Sequence, residues 1–429
     1  MTKTDNYSKK GLFSWALYDW ANSAFFVMIQ TFIFAAYFTS SIAENETTGT
    51  AQWGFTIGLA GFAIAVLAPI LGSIADVGGP RKPWVYFFAG ISIISTSLLW
   101  FAEPSLDFLT YSLVLAFFGT VGAELSLIFY NAMLPDLSPP DKIGRWSGWG
   151  WSLGFAGGIV CLVFGYFVLF LNGASLFGLD ESMAEHTRST FLFTGIWYAL
   201  FMIPFILKTS DLPSRRKTYN QAVTDGFSTL WIGLKMLRKE KDIFKFLVAR
   251  LFYNDALVTI FAMGGVYAAG SFGFETADIF YFGIALNLTA GLGAYGFAWL
   301  DDKSGSKRTI MISLIGLIIP VVAVIFVKSV LWFWIWGLFL GVFVGPVQAA
   351  SRTLMGRMAP KEKRNQMYGL FALSGKVTSF AGPMLMGWIT LIMDNQRWGM
   401  GVILVMLVIG LVLMLGVKEV SVDQHEFAN

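Results

Sequence analysis

Twelve apolar stretches recur along this chain, near residues 11–40, 51–75, 83–102, 107–134, 147–172, 189–208, 243–270, 277–299, 308–328, 330–352, 367–392 and 397–417. Each is about as long as the roughly 20-residue helix that crosses the hydrocarbon layer of a bilayer. Most connections between them are short, so no long soluble domain fits. The expected fold class is all-α integral membrane, with twelve transmembrane helices, spans one to twelve in chain order. A balance of 56% apolar to 13% charged residues lies outside that of soluble domains. The opening MTKTDNYSKK runs into a span too long and too polar for a signal-peptide core, so span one is expected to be kept. The single cysteine, Cys161, sits in an apolar run, which excludes a disulfide within the chain and argues against a thiol metal site.

The connections sort by charge into two alternating sets. One is basic: Lys9 and Lys10, Arg81 and Lys82, Lys142 and Arg145, a cluster from Lys208 to Lys245, Lys303 with Lys307 and Arg308, and Arg357 through Arg364. The other is acidic or sparse: Glu44 and Glu46, Glu103 and Asp107, Asp180 with Glu181 and Glu185, Glu275 and Asp278, and Asp394 beside Arg397. Cytoplasmic loops carry the excess of lysine and arginine, so both termini are expected on the cytoplasmic side of a bacterial inner membrane. The longest connection divides the chain into a bundle at 1–208, a linker at 209–242 and a bundle at 243–429. In the linker, Val223, Phe227, Leu230, Trp231, Leu234 and Leu237 share one helical face, with Lys235, Arg238 and Lys239 around it. That pattern suits a helix lying on anionic lipid, and a calmodulin-like partner would select the same one.

The halves echo each other in order. YDWA from Tyr18 matches YNDA from Tyr253, DVGGPRK from Asp76 matches DKSGSKR from Asp302, and PPDKIGRWSG at 139–148 matches PKEKRNQMYG at 360–369. Three matches in register mark a parallel duplication of a six-helix unit, which transporters build around a site between the halves.

GSIADVGGPRK, residues 72–82, resembles the loop 2–3 signature of the major facilitator superfamily, with Val77 where that signature has a basic residue. The second copy keeps the basic residue as Lys303. WALYDWANSAF, FYNAMLPDL at 129–137, FLVARLFYND at 246–255, GPVQAASRTLMGRMAP at 345–360 and SGKVTSFAGP at 374–383 are together similar to the branch called the unknown major facilitator family. That branch includes the autophagy-related vacuolar amino-acid effluxers of fungi. The resemblance covers essentially all twelve spans and implies the major facilitator fold, two six-helix parallel repeats working as a rocker switch with a latch on the cytoplasmic face. Gly72, one turn before Asp76, permits a close helix approach, so the carboxylate can accept hydrogen bonds from a neighbouring helix end. Gly72, Asp76, Gly79, Arg81, Asp302, Gly305 and Arg308 are therefore gating candidates, against the plainer reading of solvated turns that only fix topology. Arg352, at the inner end of span ten, is a further gating candidate or else reaches the lipid headgroups.

Charge inside a membrane is costly and usually lines a pathway. By helical rise, Asp19, Glu124, Arg250, Asp255 and Lys376 occupy one layer between the cytoplasmic third and the midplane. Polar stripes run through this layer: Tyr18, Asp19, Asn22, Ser23 and Gln30 on span one, Glu124 and Asn131 on span four, Arg250 and Asn254 on span seven, Gln348 and Arg352 on span ten. In the superfamily these four spans enclose the cavity. The stripes, with Asp255 and Lys376, supply the candidates for substrate binding or coupling. Each has a plainer alternative: Arg250 and Asp255 as structural ion pairs, Asp19 as a packing anchor beside Trp15, Tyr18 and Trp20, and Lys376 as a snorkelling side chain. Gly154, Gly157, Gly158, Gly382 and Pro383 are read as bending and close packing.

An enzyme is not expected, since the histidines are confined to His186 in an outer loop and His425 in the tail, and no nucleotide-binding glycine motif stands in a suitable context. A channel would lack duplicated gating loops. The expected function is secondary active transport of a small polar solute, an amino acid or short peptide. Mixed charge suits a zwitterion, and a surplus carboxylate suits proton coupling. Export of a lipid-like or amphiphilic compound and a non-transporting sensor are the alternatives. No cofactor, metal or nucleic-acid partner is expected. The chain is read as a monomer among membrane lipids.

Overall fold

The computed structural model describes residues 8–170, 172–213, 240–274, 276–376, 378–379 and 381–419. The linker helix expected at 223–237 and His425 lie outside them. All regular structure among the described residues is helical. Eleven helices there are long and apolar enough to cross a membrane: Lys9–Ile42, Gln52–Gly78, Lys82–Phe101, Leu106–Leu137, Pro140–Leu169, Glu185–Lys208, Lys241–Gly265, Tyr281–Ser304, Ser306–Phe326, Val330–Met358 and Gln396–Leu415. These are spans one to ten and span twelve.

Span eleven departs from expectation. The run read as one helix at 367–392 is two, Arg364–Lys376 and Ala381–Met393, with a turn at 378–379. Its sequence explains the break. Pro383 has no N–H and fits the first turn of a helix, which is where it stands after Ala381. The Ala381 N–H instead closes the turn on the Thr378 carbonyl at 2.7 Å. With this pair the spans number the expected twelve. Pro69, Pro135, Pro204, Pro320 and Pro346 lie inside helices without ending them, as membrane helices allow when neighbours satisfy the freed carbonyls.

The chain forms two compact units, one of Met1–Leu67, Gly79–Met133 and Leu153–Ser214, the other of Ala68–Gly78, Leu134–Ser152 and Arg215–Asn429. Their internal ties correspond. In the first unit the Tyr18 hydroxyl holds span one to span four, 2.7 Å from Ser126 Oγ. In the second the Tyr253 hydroxyl holds span seven to span ten, 2.7 Å from Ser351 Oγ. Tyr37 donates to the Ala102 carbonyl, and Tyr267 to that of Val324. Arg188 at the start of span six donates to the Trp100 carbonyl, and Arg397 at the start of span twelve to those of Ile325 and Val327. Each pair satisfies carbonyls that the end of span three or span nine leaves without an intrahelical donor.

Tyr18→Phe should lower stability by about 1–2 kcal/mol, because the Tyr18 hydroxyl also lies 2.8 Å from that of Tyr198 and both partners are buried. Tyr253→Phe removes a single side-chain contact, to Ser351, and should cost less. Apparent melting temperatures of the purified variants would check the order.

Candidate functional site

At the end carrying the basic loops, the second unit brings the ends of spans two, four and five against spans eight, ten and eleven. Glycine makes the closest approach possible. A Cβ on Gly72 would stand 2.5 Å from the Asn365 carbonyl oxygen. One turn later the buried Asp76 carboxylate accepts from the Asn365 N–H at 3.0 Å, Asn365 Nδ2 at 2.6 Å and the Gln366 N–H at 2.8 Å. These are first-turn groups of Arg364–Lys376, where backbone donors lack intrahelical partners and the helix dipole favours an anion. The second copy repeats the tie. Asp302 accepts from the Arg145 N–H at 3.0 Å and lies 3.3 Å from Arg145 Nε, at the first turn of Ile143–Phe164. Gln366 and Arg145 are matching positions of the repeated loops. Gly148 and Gly369, which close those loops, match as well: a Cβ on either would lie 2.6 Å from a backbone carbonyl, of Ala294 and Ala68 respectively.

Gly79 and Gly305 turn the chain into the next span with φ of 99° and 88°, a region that side chains disfavour. The spans that follow are capped by acids that the sequence reading passes over. Asp211 accepts from the N–H groups of Arg81 and Lys82, each at 2.9 Å. Glu419 accepts from those of Ser306 and Lys307, each at 2.9 Å. Each is the first acid past span six or span twelve, and that shared position is the signal they carry.

Arg81 is buried and donates to the Ala132 carbonyl at 2.8 Å, while Arg308 is exposed. Arg352 does not reach headgroups. It is 2% exposed, donates from Nε to Ser147 Oγ at 2.9 Å and from Nη2 to the Ser147 carbonyl at 2.5 Å, and lies over the Trp151 ring. Nearby, Arg364 pairs with Asp136. Arg357 Nη1 contacts Asp301 at 3.0 Å and Glu419 at 3.1 Å.

At membrane depth in the first unit, Asp19 accepts a 2.9 Å bond from the Tyr130 hydroxyl. Trp15 fixes Tyr130 by stacking on it at 4.4 Å and donating to its carbonyl at 3.0 Å. Tyr18 and Asn22 meet span six, where Asn22 Nδ2 donates to the Tyr198 hydroxyl at 2.5 Å. Ser23 packs against span five, where a Cβ on Gly154 would lie 2.7 Å from its Oγ. Gln30 donates to Thr120 Oγ1 at 3.0 Å. Glu124 and Asn131 are half-buried on span four. The phenols of Tyr130 and Tyr198 were invisible as polar partners, because tyrosines in apolar runs read as interface or packing residues.

In the second unit, Arg250 and Asn254 grip the first half of span eleven. Arg250 Nη1 donates to the Phe371 carbonyl at 2.6 Å and Ser374 Oγ at 2.9 Å, with its guanidinium 3.5 Å from the Phe371 ring centre. Asn254 Nδ2 donates to the Gly375 carbonyl at 3.0 Å. Asp255 meets the second half, its Oδ2 accepting from the Gly382 N–H at 3.2 Å. The cation thus faces the negative end of one half-helix and the carboxylate the positive end of the other. Gln348 is half-buried on span ten. Lys376 ends the first half-helix, and its side chain lies outside the described residues.

Comparison with known proteins agrees with this architecture. The family model described as "Vacuole effluxer Atg22 like" matches residues 39–145 and 138–424. The MFS-type transporter YxiO of Bacillus subtilis is 29% identical over 97% of both chains. Autophagy-related protein 22 of Kluyveromyces lactis is 24% identical over 77% of this chain and 71% of its own. Among solved structures, the proton:xylose symporter XylE superposes with a TM-score of 0.74 over 96% of both chains at 14% identity, a likeness that establishes the major facilitator fold.

Proposed function

The chain belongs to the Atg22-like vacuole effluxer family of the major facilitator superfamily, and from that we propose that it moves an amino acid or short peptide across the membrane by proton-coupled alternating access. It is a membrane transporter of the major facilitator type. The observation that carries alternating access is the matched pair of ties, Asp76 on the start of Arg364–Lys376 and Asp302 on the start of Ile143–Phe164. Each is a carboxylate bound to helix-end donors, an arrangement that water can replace when the helices part. In this reading the basic face is cytoplasmic and the ties hold it shut, in the inner membrane of a bacterium. The amino-acid reading draws support from the resemblance to the fungal effluxers and from Asp19 and Glu124, which offer carboxylates to an amine.

The test is a panel of amino acids, dipeptides, sugars and amphiphiles screened by thermal stabilisation of the purified protein, since a ligand of the folded state raises the melting point. An amino acid or dipeptide should stabilise it and enter proteoliposomes faster under an imposed pH gradient. Stabilisation by amphiphiles or sugars alone would sink the substrate class, and flux indifferent to the gradient would remove the coupling. Full transport by Asp19→Asn would take that residue out of the site.

A further inference from the structure

The duplicated halves differ at membrane depth in a way that gives span seven a carboxylate and span eleven a break. Aligning YDWA with YNDA places Asp255 where span one has Trp20. Span five continues as helix through 155–160, the positions that match 376–381, whereas span eleven stops at Lys376 and restarts at Ala381. In the first half the Trp20 backbone packs on Gly157, where a Cβ would lie 2.6 Å from its carbonyl oxygen. In the second, the Asp255 side chain meets the restarted helix.

Asp255 is 2% exposed. Its Oδ2 takes the Gly382 N–H, and its Oδ1 is buried without a hydrogen-bond partner among the described residues. Thr259, one turn later on the same helix, donates instead to the Asp255 backbone carbonyl at 2.8 Å. A Cβ on Gly382 would lie 3.1 Å from Oδ1 and 2.0 Å from Thr259 Oγ1, so glycine is needed for the two to meet. An anion with one bare oxygen is poorly stabilised at this depth.

The charged groups around it are few. On its own helix Arg250 is engaged by Phe371 and Ser374, and Tyr253 by Ser351. Ala381–Met393 has no titratable residue. Arg364–Lys376 offers Lys376 nearest the break and Tyr368, which donates to the Arg352 carbonyl. On span twelve Arg397 binds the end of span nine. On span ten Arg352 and Arg357 are held by Ser147 and Asp301, and the carboxylates Asp301 and Asp302 of span eight are held by Arg357 and Arg145.

We propose that Asp255 is the proton-binding site of this transporter and that its charge sets how tightly span seven holds the second half of span eleven. A proton taken from water onto Oδ1 leaves Oδ2 as a carbonyl that still accepts the Gly382 N–H. The bond is then no longer charge-assisted and the helix dipole no longer holds an anion, so the grip on Ala381–Met393 weakens. Arg250 keeps its charge throughout and retains the first half. The break becomes a joint with one fixed and one proton-dependent side. The link to coupling rests on the transport reading above, and the proton site itself does not.

Infrared difference spectra of the full chain in lipid vesicles, taken across a pH titration, test the site without a substrate. A protonated-acid carbonyl band should titrate in the wild type, vanish in Asp255→Asn and persist, shifted, in Asp255→Glu. A nitroxide on Ser379→Cys should change its lineshape with pH in the wild type and not in Asp255→Asn. A band unchanged in Asp255→Asn, or no acid band in the wild type, would overturn the site. So would amino-acid flux that follows a pH gradient undiminished in Asp255→Asn, an outcome that leaves the transport reading standing. Loss of the band in a protein that moves no amino acid would support the proton site and sink the substrate reading.

Discussion

Arg357→Met is expected to destabilise the protein by about 3–5 kcal/mol, the range measured when one partner of a buried ion pair is removed. The Arg357 guanidinium lies 3.0 Å from Asp301, 3.1 Å from Glu419, 4.0 Å from Asp302 and 2.8 Å from Ser306 Oγ. Its side chain is 10% exposed, and those of Asp301 and Asp302 are 3% and 4% exposed, so solvent does little to screen them. Removing the cation leaves like charges facing one another in a poorly solvated cluster. Lysine should rescue only part, since one ammonium cannot reproduce the guanidinium fork. The effect should spread, because Glu419 also caps the start of span nine. Thermal unfolding in detergent would show it. If charge is the cause, Asp301→Asn and Glu419→Gln added to Arg357→Met should recover most of the loss, a non-additivity expected of groups in contact. An Arg357→Met protein as stable as the wild type would mean that the cluster holds nothing.

The spans are legible because hydrocarbon thickness imposes one length on every crossing helix, so apolar runs reveal them directly. Span eleven shows the limit. Gly375, Gly382 and Pro383 are visible in the sequence, yet a run judged by average hydropathy stays apolar across the turn at 378–379. The duplication is legible in three motifs and missed in its other contacts. Tyr37 with Tyr267, Arg188 with Arg397 and Asp211 with Glu419 need only place a donor or acceptor at a helix end, so their spacing is free to drift. Asp76 is legible because the fold constrains its neighbours too, with a glycine one turn before it and a second copy after span eight. Counting helical rise yields depth but not the partner on the facing helix. Tyr18 and Asn22 are therefore found on Tyr198, and Arg250 on the Phe371 carbonyl and Ser374 hydroxyl of span eleven.

Asp76→Asn should reduce transport by about tenfold or more and open the basic face to thiol reagents. The carboxylate accepts three hydrogen bonds from Asn365 and Gln366. Bonds to a charged group contribute about 1.5–3 kcal/mol each and neutral ones about half as much, so a change to an amide weakens the closed tie by about 2–4 kcal/mol. Every 1.4 kcal/mol moves a two-state equilibrium about tenfold, enough to leave the tie mostly broken if the closed state is favoured by a similar amount. Asp302→Asn should act in the same direction with smaller effect, since Arg145 is its principal partner. A second route removes charge from the argument. Gly369→Val drives a side chain into the Ala68 carbonyl, 2.6 Å from where its Cβ must stand, and backbone cannot move aside as a flexible side chain can. Gly78→Ala is the control, because nothing lies within 4 Å of its added Cβ. A cysteine at Val77 should label faster in Asp76→Asn and Gly369→Val and at the wild-type rate in Gly78→Ala. Wild-type labelling and flux in both disruptive variants would show that the tie does not gate. Failure in Gly369→Val alone would assign the gate to helix contact, with Asp76 a cap on the end of span eleven.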